Sequence, residues 1–409
     1  MQCDIAIVGA GPAGLCFARA LAGSGLKVVL VEQAAAERLA DPPDDGREIA
    51  LTHHSQRLMA KLGLWERLSE EEIGLLRQAK VLDGDDRDGL LFTPEEAGKD
   101  NLGWMAGNHA IRRAAWEAVA GQPDLTLLDG EKVSLVHADA AGAVLALSDG
   151  RELRAQLLIA ADSRFSETRR AVGIRASMHD FGRTMLVCRM RHEVPHAQTA
   201  WEWFRYGQTL ALLPLHDPQV SSAVLTLPQQ EIRRLQAMSE DEFNRDMAAR
   251  FDGRLGAMTR LAPPVAYPLV GVYPQRFVAS RFATVGDAAV GMHPVTAHGF
   301  NFGLLSVDAL SQRVLEAHRA GRPYWSDAVL HSYDIEHRAA TRPLYEATRL
   351  IAGLYGNDRL PARALRKFAL GLGRRAAPFR RLVMAGLTQD GGDMPFGGVR
   401  RTWVRLRPR

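Results

Sequence analysis

The hydrophobic pattern changes period twice within residues 4–32. Ile5, Ala6, Ile7 and Val8 form an unbroken apolar run, which predicts a strand buried on both faces. Leu15, Ala18, Leu21 and Ala22 then recur at helical spacing. Gly23 and Gly25 stop that helix, and Val28 to Val31 return as a second strand. The segment reads as a βαβ unit. Residues 33–46, rich in Ala, Asp and Pro, read as a surface loop, followed by a helix around 54–68. A strand pair is expected within 80–93 and a helix at 108–120. A meander follows at Lys132–His137, Ala143–Ser148 and Arg151–Ala161, with Asp149-Gly150 as the hairpin turn between the last two. From 184 the pattern turns to strands: Thr184–Arg191, Thr199–Tyr206, Thr209–Leu215 and Val220–Leu227. One helix is expected at 229–252, then strands near 265–273 and at Phe282–Val285, and mostly helix from Gly299 onward.

Composition narrows the class. Across 409 residues, 46% are hydrophobic and 24% charged, as in ordinary globular proteins. No apolar run is long enough to span a bilayer, and the apolar opening runs straight into glycines, unlike a secretory leader. Cys3, Cys16 and Cys188 are too few and too scattered for a disulfide framework or a metal cage, so no metal site is expected and a reducing, cytoplasmic setting fits. The net charge of +4 hides an asymmetry: residues 361–409 carry +10 and the remainder −6. Such a tail is a solvated surface or a contact for an acidic membrane face or partner. No nucleic-acid-binding module accompanies it.

Two stretches carry candidate chemistry. Gly9-Ala10-Gly11-Pro12-Ala13-Gly14 is a G-x-G-x-x-G turn between strand and helix, which lets a pyrophosphate approach the backbone at a helix N-terminus. Glu32 ends the second strand, where a carboxylate can accept hydrogen bonds from adenosine ribose hydroxyls and would repel a 2′-phosphate. This unit alone leaves FAD and NAD both open. Much later, a strand runs into Gly286-Asp287, followed by His293-Pro294, Gly299, Asn301 and Gly303 at the start of a helix. Separately, these read as a β-turn and a helix cap. Together they suit FAD, with Asp287 on a ribityl hydroxyl and the helix N-terminus toward the flavin.

These residues resemble the single-component (class A) aromatic flavin monooxygenases, the group that includes p-hydroxybenzoate hydroxylase. Ala161-Asp162-Ser163-Arg164-Phe165-Ser166-Glu167-Thr168-Arg169 is similar to the family's A-D-G-x-x-S-x-x-R segment, and Gly286 to Gly303, with Phe300 beside Gly299, to its second FAD segment. Within the group, Trp201 to Leu215, Gly46 to Leu51 and Tyr355 to Pro361 resemble the ubiquinone-biosynthesis hydroxylases. The resemblance implies that Arg47, Arg112 and Asp162 serve the cofactor. It further implies reduction of FAD by NAD(P)H, activation of O2, and hydroxylation of an aromatic ring, here a prenylated phenol or quinol. Departures from the pattern are Ser163 for a Gly, Val290 for a His and Ala297-His298-Gly299 for G-Q-G.

The expected fold is α/β: a Rossmann-like FAD-binding domain with an inserted, mostly antiparallel β-sheet substrate domain and a helical C-terminus. The divisions are 1–75, 95–182 and 276–340 for the FAD-binding domain, 76–94 and 183–275 for the β-sheet domain, and 341–409 for a basic helical region. His298 is the candidate acid–base group, histidine being the side chain whose unperturbed form changes charge near neutral pH. Pro294 is expected to bend the loop beneath the ring, with His293 structural. The basic region, with its interleaved Leu and Phe, could lie peripherally on the inner face of a membrane or against a biosynthetic complex. The rival expectations are a flavin halogenase, which Trp201-Glu202-Trp203 begins to match and Phe204 does not continue, an isoprenoid reductase, and a non-catalytic flavoprotein of a biosynthetic complex.

Overall fold

The computed structural model describes residues 1–85, 89–205, 207–293 and 298–355. Pro294 and the basic stretch 361–409 therefore lie outside the described residues. In chain order the first elements are β1 (Gln2–Val8), α1 (Pro12–Ala20), β2 (Val28–Val31), α2 (Ala36–Ala40), β3 (Glu48–Leu51), α3 (His53–Lys61), β4 (Ile73–Leu76), β5 (Gln78–Asp83), β6 (Leu90–Phe92), β7 (Gly103–Gly107) and α4 (Asn108–Val119). Next come β8 (Leu125–Leu128), β9 (Val133–Ala138), β10 (Ala143–Leu147), β11 (Glu152–Ala160), α5 (Glu167–Ala171), β12 (Ala176–His192), β13 (Thr199–Arg205), β14 (Gln208–Pro214) and β15 (Val220–Leu227). The last are α6 (Gln229–Gln236), α7 (Glu240–Arg250), β16 (Met258–Arg260), β17 (Val265–Pro274), β18 (Val278–Ala279), β19 (Phe282–Thr284), α8 (Gly299–Arg319) and α9 (Asp327–Tyr355).

The opening strand is buried on both sides for the reason its sequence suggests. Ile5 and Ile7 pack with residues of α1, α4 and α8, while Ala6 and Val8 pack on the opposite face with Leu145 and Leu153 of the meander. This first sheet is eight-stranded, with β18-β19-β11-β1-β2-β8 as its path and β9 and β10 folded back from β11. Strands β8, β2, β1, β11 and β19 run parallel. Because β19 joins β11 rather than following it in sequence, the chain returns to this sheet only after the second sheet has been made.

The second sheet is also eight-stranded, in the order β16-β12-β15-β14-β13-β5-β6 with β17 beside β12. It is antiparallel apart from β5, which pairs parallel with β13. Alternation divides its side chains. Leu186, Cys188, Trp203, Leu210, Leu212, Ala223 and Leu225 face one way and pack with Ile232, Phe243 and Met247 of α6 and α7. The intervening residues face a cavity. A small third sheet, β3-β7-β4, packs Leu51 and Ala106 into the core beside the first sheet and sets Gly74 against Pro214 and Leu215 at the end of β14.

Four local expectations need correction. The loop 33–46 contains a short helix, α2. The strand expected at Thr184 begins at Ala176, because β12 continues past a register shift between Asp180 and Thr184 and pairs with β17 on both sides of it. The single helix at 229–252 is two, because Ser239 accepts from the amide of Glu242 while the Glu242 carboxylate accepts from the amide of Ser239, which starts a new helix there. The division expected between 340 and 341 falls inside α9, which runs unbroken to Tyr355 with Pro343 within it.

Candidate functional site

The turn between β1 and α1 is shaped by contacts that only glycine permits. Gly9 has φ +103°, and a β-carbon there would lie 2.6 Å from the carbonyl oxygen of Ala161 at the end of β11. A β-carbon on Gly14 would overlap the carbonyl oxygen of Gly9. Gly11 differs: nothing lies within 4 Å of where its β-carbon would be, and it caps α1 without a side-chain hydrogen bond. Proline at the first helical position has no N–H to leave unpaired, so the following amides remain available.

The second stretch meets this turn directly. Gly286 opens a single 3-10 turn at φ +64°, and a β-carbon on it would lie 2.5 Å from the Ala13 β-carbon. Its amide donates to Ser306 Oγ at 2.9 Å, which ties the turn to α8. Helix α8 begins at Gly299, again without a side-chain cap. Two uncapped helix N-termini, α1 and α8, thus open onto one space. Both ends turn their first-turn amides and the positive end of a helix dipole toward it, which suits anionic groups.

That space is a cavity of about 730 Å³. At one end it is lined by Gly11, Ala13, Arg47, Arg112, Gly286, Asp287, Gly299 and Phe300. At the other it is lined by the inner face of the second sheet, including Val187, Phe204, Ala211, Leu213 and Val224. Eight of the sequence-predicted cofactor residues therefore surround one cavity.

The other five act on its walls. Glu32 accepts from the amides of Ala10 at 2.7 Å and Ala34 at 2.9 Å, which holds the glycine turn against the end of β2. Asp162 accepts from Ser166 Oγ at 2.5 Å and from the amide of Thr168 at 3.0 Å, so its carboxylate starts α5. Asn301 is buried; its Nδ2 donates to Ala50 O at 2.8 Å and its Oδ1 accepts from the amide of Thr52 at 3.2 Å. It thereby clamps the junction of β3 and α3 to α8. Gly9 and Gly14 hold the turn itself.

His298 caps α8 through its backbone, is buried, and sets its ring 5.9 Å from that of Phe302; it is not among the described residues that line the cavity. His293 does line it, with its ring edge-on to Phe181 at 4.5 Å. Burial pulls the His293 imidazole down to about 4, so it is neutral at pH 7.

Other residues at or behind the wall carry roles that the sequence marked only as part of a segment, as for Arg164 and Arg169, or did not mark, as for Arg189. Arg164 donates from Nη2 to Asp287 at 3.1 Å and from Nη1 to Val270 O at 3.2 Å. Arg169, almost wholly buried, donates to Ala288 O at 2.9 Å. The segment 161–169 is thus pinned to the Gly286-Asp287 turn by two arginines. Ser163 within it lies at φ +79°, a region costly for any residue with a β-carbon, which is the physical sense of a glycine in the family's pattern there. Arg189 of β12 donates from Nε at 2.8 Å and Nη2 at 2.6 Å to Glu48, which joins the second sheet to β3 beside the cavity. Glu48 is pushed up to about 7, burial outweighing the attraction of Arg189. Glu202, on the cavity face of β13, is pushed up to about 8 by burial alone. Alternation along β13 marks the face on which Glu202 stands, but only the folded chain shows what that face meets.

The glycine cradle, the paired helix N-termini and the cavity of about 730 Å³ fit a large dinucleotide with an anionic centre. A family model described as FAD binding domain matches residues 2–348. The chain is 45% identical over 392 residues to ubiquinone hydroxylase UbiM of Neisseria meningitidis, covering 95% of this chain and 85% of that one. It is 33% identical over 381 residues to ubiquinone hydroxylase UbiL of Rhodospirillum rubrum, covering 93% and 88%. Among solved structures, PqsL of P. aeruginosa in complex with 2-aminobenzoylacetate is 22% identical, with a TM-score of 0.77 over 90% of this chain and all of that one, a likeness of fold.

Proposed function

The chain belongs to the FAD binding domain family, and from that premise we propose that it hydroxylates the aromatic ring of a ubiquinone precursor, a prenylated phenol or quinol, with NAD(P)H as reductant and O2 as co-substrate. The observation that carries this reading is the single cavity walled at one end by two helix N-termini and at the other by an apolar sheet. The names of the two relatives, both ubiquinone hydroxylases, supply the substrate class.

FAD, when bound, supplies the redox chemistry of taking electrons from NAD(P)H and activating O2. The chain's own residues do the rest. The amides following Gly11 would hold the pyrophosphate, with Gly9, Gly14 and Glu32 fixing the turn. Arg47 and Arg112 offer positive charge along the cavity, and Asp287, fixed by Arg164, would meet the ribityl chain. The N-terminus of α8, at Gly299 and Phe300 and clamped by Asn301, would stabilise negative charge on the flavin ring. Val187, Ala211, Leu213 and Val224 keep the far end dry, which limits the loss of activated oxygen to water.

The peripheral membrane contact belongs to the same proposal. It is supported by the +10 charge of residues 361–409. Among the described residues no helix is long and apolar enough to cross a membrane. Co-sedimentation with anionic but not zwitterionic vesicles is the expected result, and equal partitioning removes this part.

The test of the main reading is direct. The purified protein is expected to show the visible spectrum of bound flavin and to oxidise NAD(P)H faster when a prenylated phenol is added. The product should be heavier by one oxygen atom by mass spectrometry. A colourless protein, or phenol-independent oxidation with no hydroxylated product, overturns it.

A further inference from the structure

The cavity face of the second sheet carries one carboxyl where its neighbours are apolar. In register across the sheet, Glu202 of β13 stands opposite Ala211 of β14, Ala211 opposite Val224 of β15, and Val224 opposite Val187 of β12. All four line the cavity. Phe204 and Leu213 lie in the flanking rows of the same face. Glu202 therefore projects from a row of small and branched apolar side chains, and the small Ala211 directly across leaves room beside its carboxyl group.

No described residue forms a hydrogen bond or ion pair with the Glu202 side chain. The other acids of the cavity are committed: Glu48 to Arg189 and Asp287 to Arg164. Glu202 is half-buried, open to the cavity and enclosed on its other sides by the sheet, and a carboxyl so placed among apolar side chains is costly unless something in the cavity completes its hydrogen bonding. A structural role offers nothing to offset that cost, because Gln, Leu or Val would fill the same wall position. A ligand that completes the hydrogen bonding would offset it.

We propose that Glu202 is the specificity-determining contact for the ring, hydrogen-bonding the oxygen substituent of the phenolic substrate and so orienting it in the apolar end of the cavity. This rests on the reading of the substrate as a phenol or quinol. Burial holds the carboxyl up to about 8, so at pH 7 it is neutral and can both donate and accept. A phenol hydroxyl, itself donor and acceptor, matches it in a way that a plain hydrocarbon ring does not. The other contacts in its own row, Ala211, Val224 and Val187, are non-directional, and the hydroxyls of Thr209 and Thr226 stand one row away, so Glu202 is the polar group of this row that can fix the ring's orientation.

The test compares two probes of similar shape, 2-propylphenol and propylbenzene, by titration calorimetry on the flavin-loaded protein. The wild type is expected to bind the phenol about tenfold or more tightly than the hydrocarbon, the range of one buried hydrogen bond. Glu202→Leu is expected to erase that preference, weakening the phenol and strengthening propylbenzene, while Glu202→Gln keeps part of it. Glu202→Ala is measured alongside, so that the loss of one variant to misfolding leaves the other to decide. A preference unchanged in Glu202→Leu or Glu202→Ala overturns the role of Glu202 and leaves the phenol reading standing. A wild type that does not prefer the phenol overturns both.

Discussion

Gly14 and Gly11 belong to one motif, yet they face different constraints. The β-carbon of an alanine at 14 would overlap a backbone oxygen, that of Gly9, so relief means moving α1 away from β1. At 11 the same atom would meet open space, and φ is −67°. Gly14→Ala is therefore expected to lower the melting temperature of the flavin-free protein by several degrees, at a cost of about 1–3 kcal/mol. Gly11→Ala should melt like the wild type but take up flavin poorly, because its methyl group enters the space a pyrophosphate would need. Calorimetry on the apoproteins and flavin absorbance on the reconstituted ones separate the two. Glu202 gives a residue-scale prediction of another kind. Its carboxyl is raised to about 8 in the fold, against an ordinary value near 4.5, so the folded state holds a proton that the unfolded chain releases between those values. Stability from this group is complete below the ordinary value and is lost as pH rises through about 8. Glu202→Gln should thus melt like the wild type near pH 5 and roughly 2–5 °C higher at pH 9. A constant offset across that range would contradict the assignment.

At the scale of elements, α8 is positioned by a side chain that reads in sequence as a cofactor contact. Asn301 spends its amide on Ala50 and Thr52, either side of the β3–α3 junction. Asn301→Leu leaves both backbone groups unpaired in the interior and is expected to cost about 2–4 kcal/mol. Asn301→Asp keeps an acceptor for Thr52 but buries a carboxylate against the Ala50 carbonyl oxygen, so a loss at least as large is expected at neutral pH. Urea unfolding of the two variants checks the order. The case shows where reading from sequence stops. Strand β1, helix α1 and strand β2 were legible because burial on both faces, helical spacing and glycine stops are local signals. The break between α6 and α7 was legible too, in Ser239 and Glu242, but helical propensity on either side masked it. What Asn301 holds was not legible, because its partners lie about 250 residues earlier and helical position alone makes an Asn near a helix start look like a cap.

The whole molecule places two independently patterned sheets around one cavity, and the joints between them are ionic. Arg189 of β12 reaches Glu48, whose side chain is 3% exposed, and the same guanidinium reaches Asp44 at 2.9 Å. Arg189→Met leaves the buried Glu48 without its partner; burial already holds that carboxyl at about 7, so it takes up a proton near neutrality, and a destabilisation of about 1–3 kcal/mol is expected there, growing as pH rises, measured by chemical unfolding. Glu48→Gln added to it should recover the part that grows with pH, since Gln cannot ionise in the buried site. No periodicity could have announced this pair, because alternation fixes a face and leaves its docking open. The same layout makes the two ends of the cavity separable. The glycine turn, Gly286 and the N-terminus of α8 are built on the first sheet and its helices, whereas Ala211 belongs to the second sheet, opposite Glu202. Ala211→Phe places a ring in the apolar end without touching the β1–α1 turn or the start of α8. The variant is expected to take up flavin as the wild type does and to lose at least about tenfold in affinity for 2-propylphenol, because the volume that a small aromatic would fill is occupied from the wall. Loss of flavin together with the phenol would mean that the two ends do not act as separate compartments, and the division of labour between the sheets would have to be redrawn.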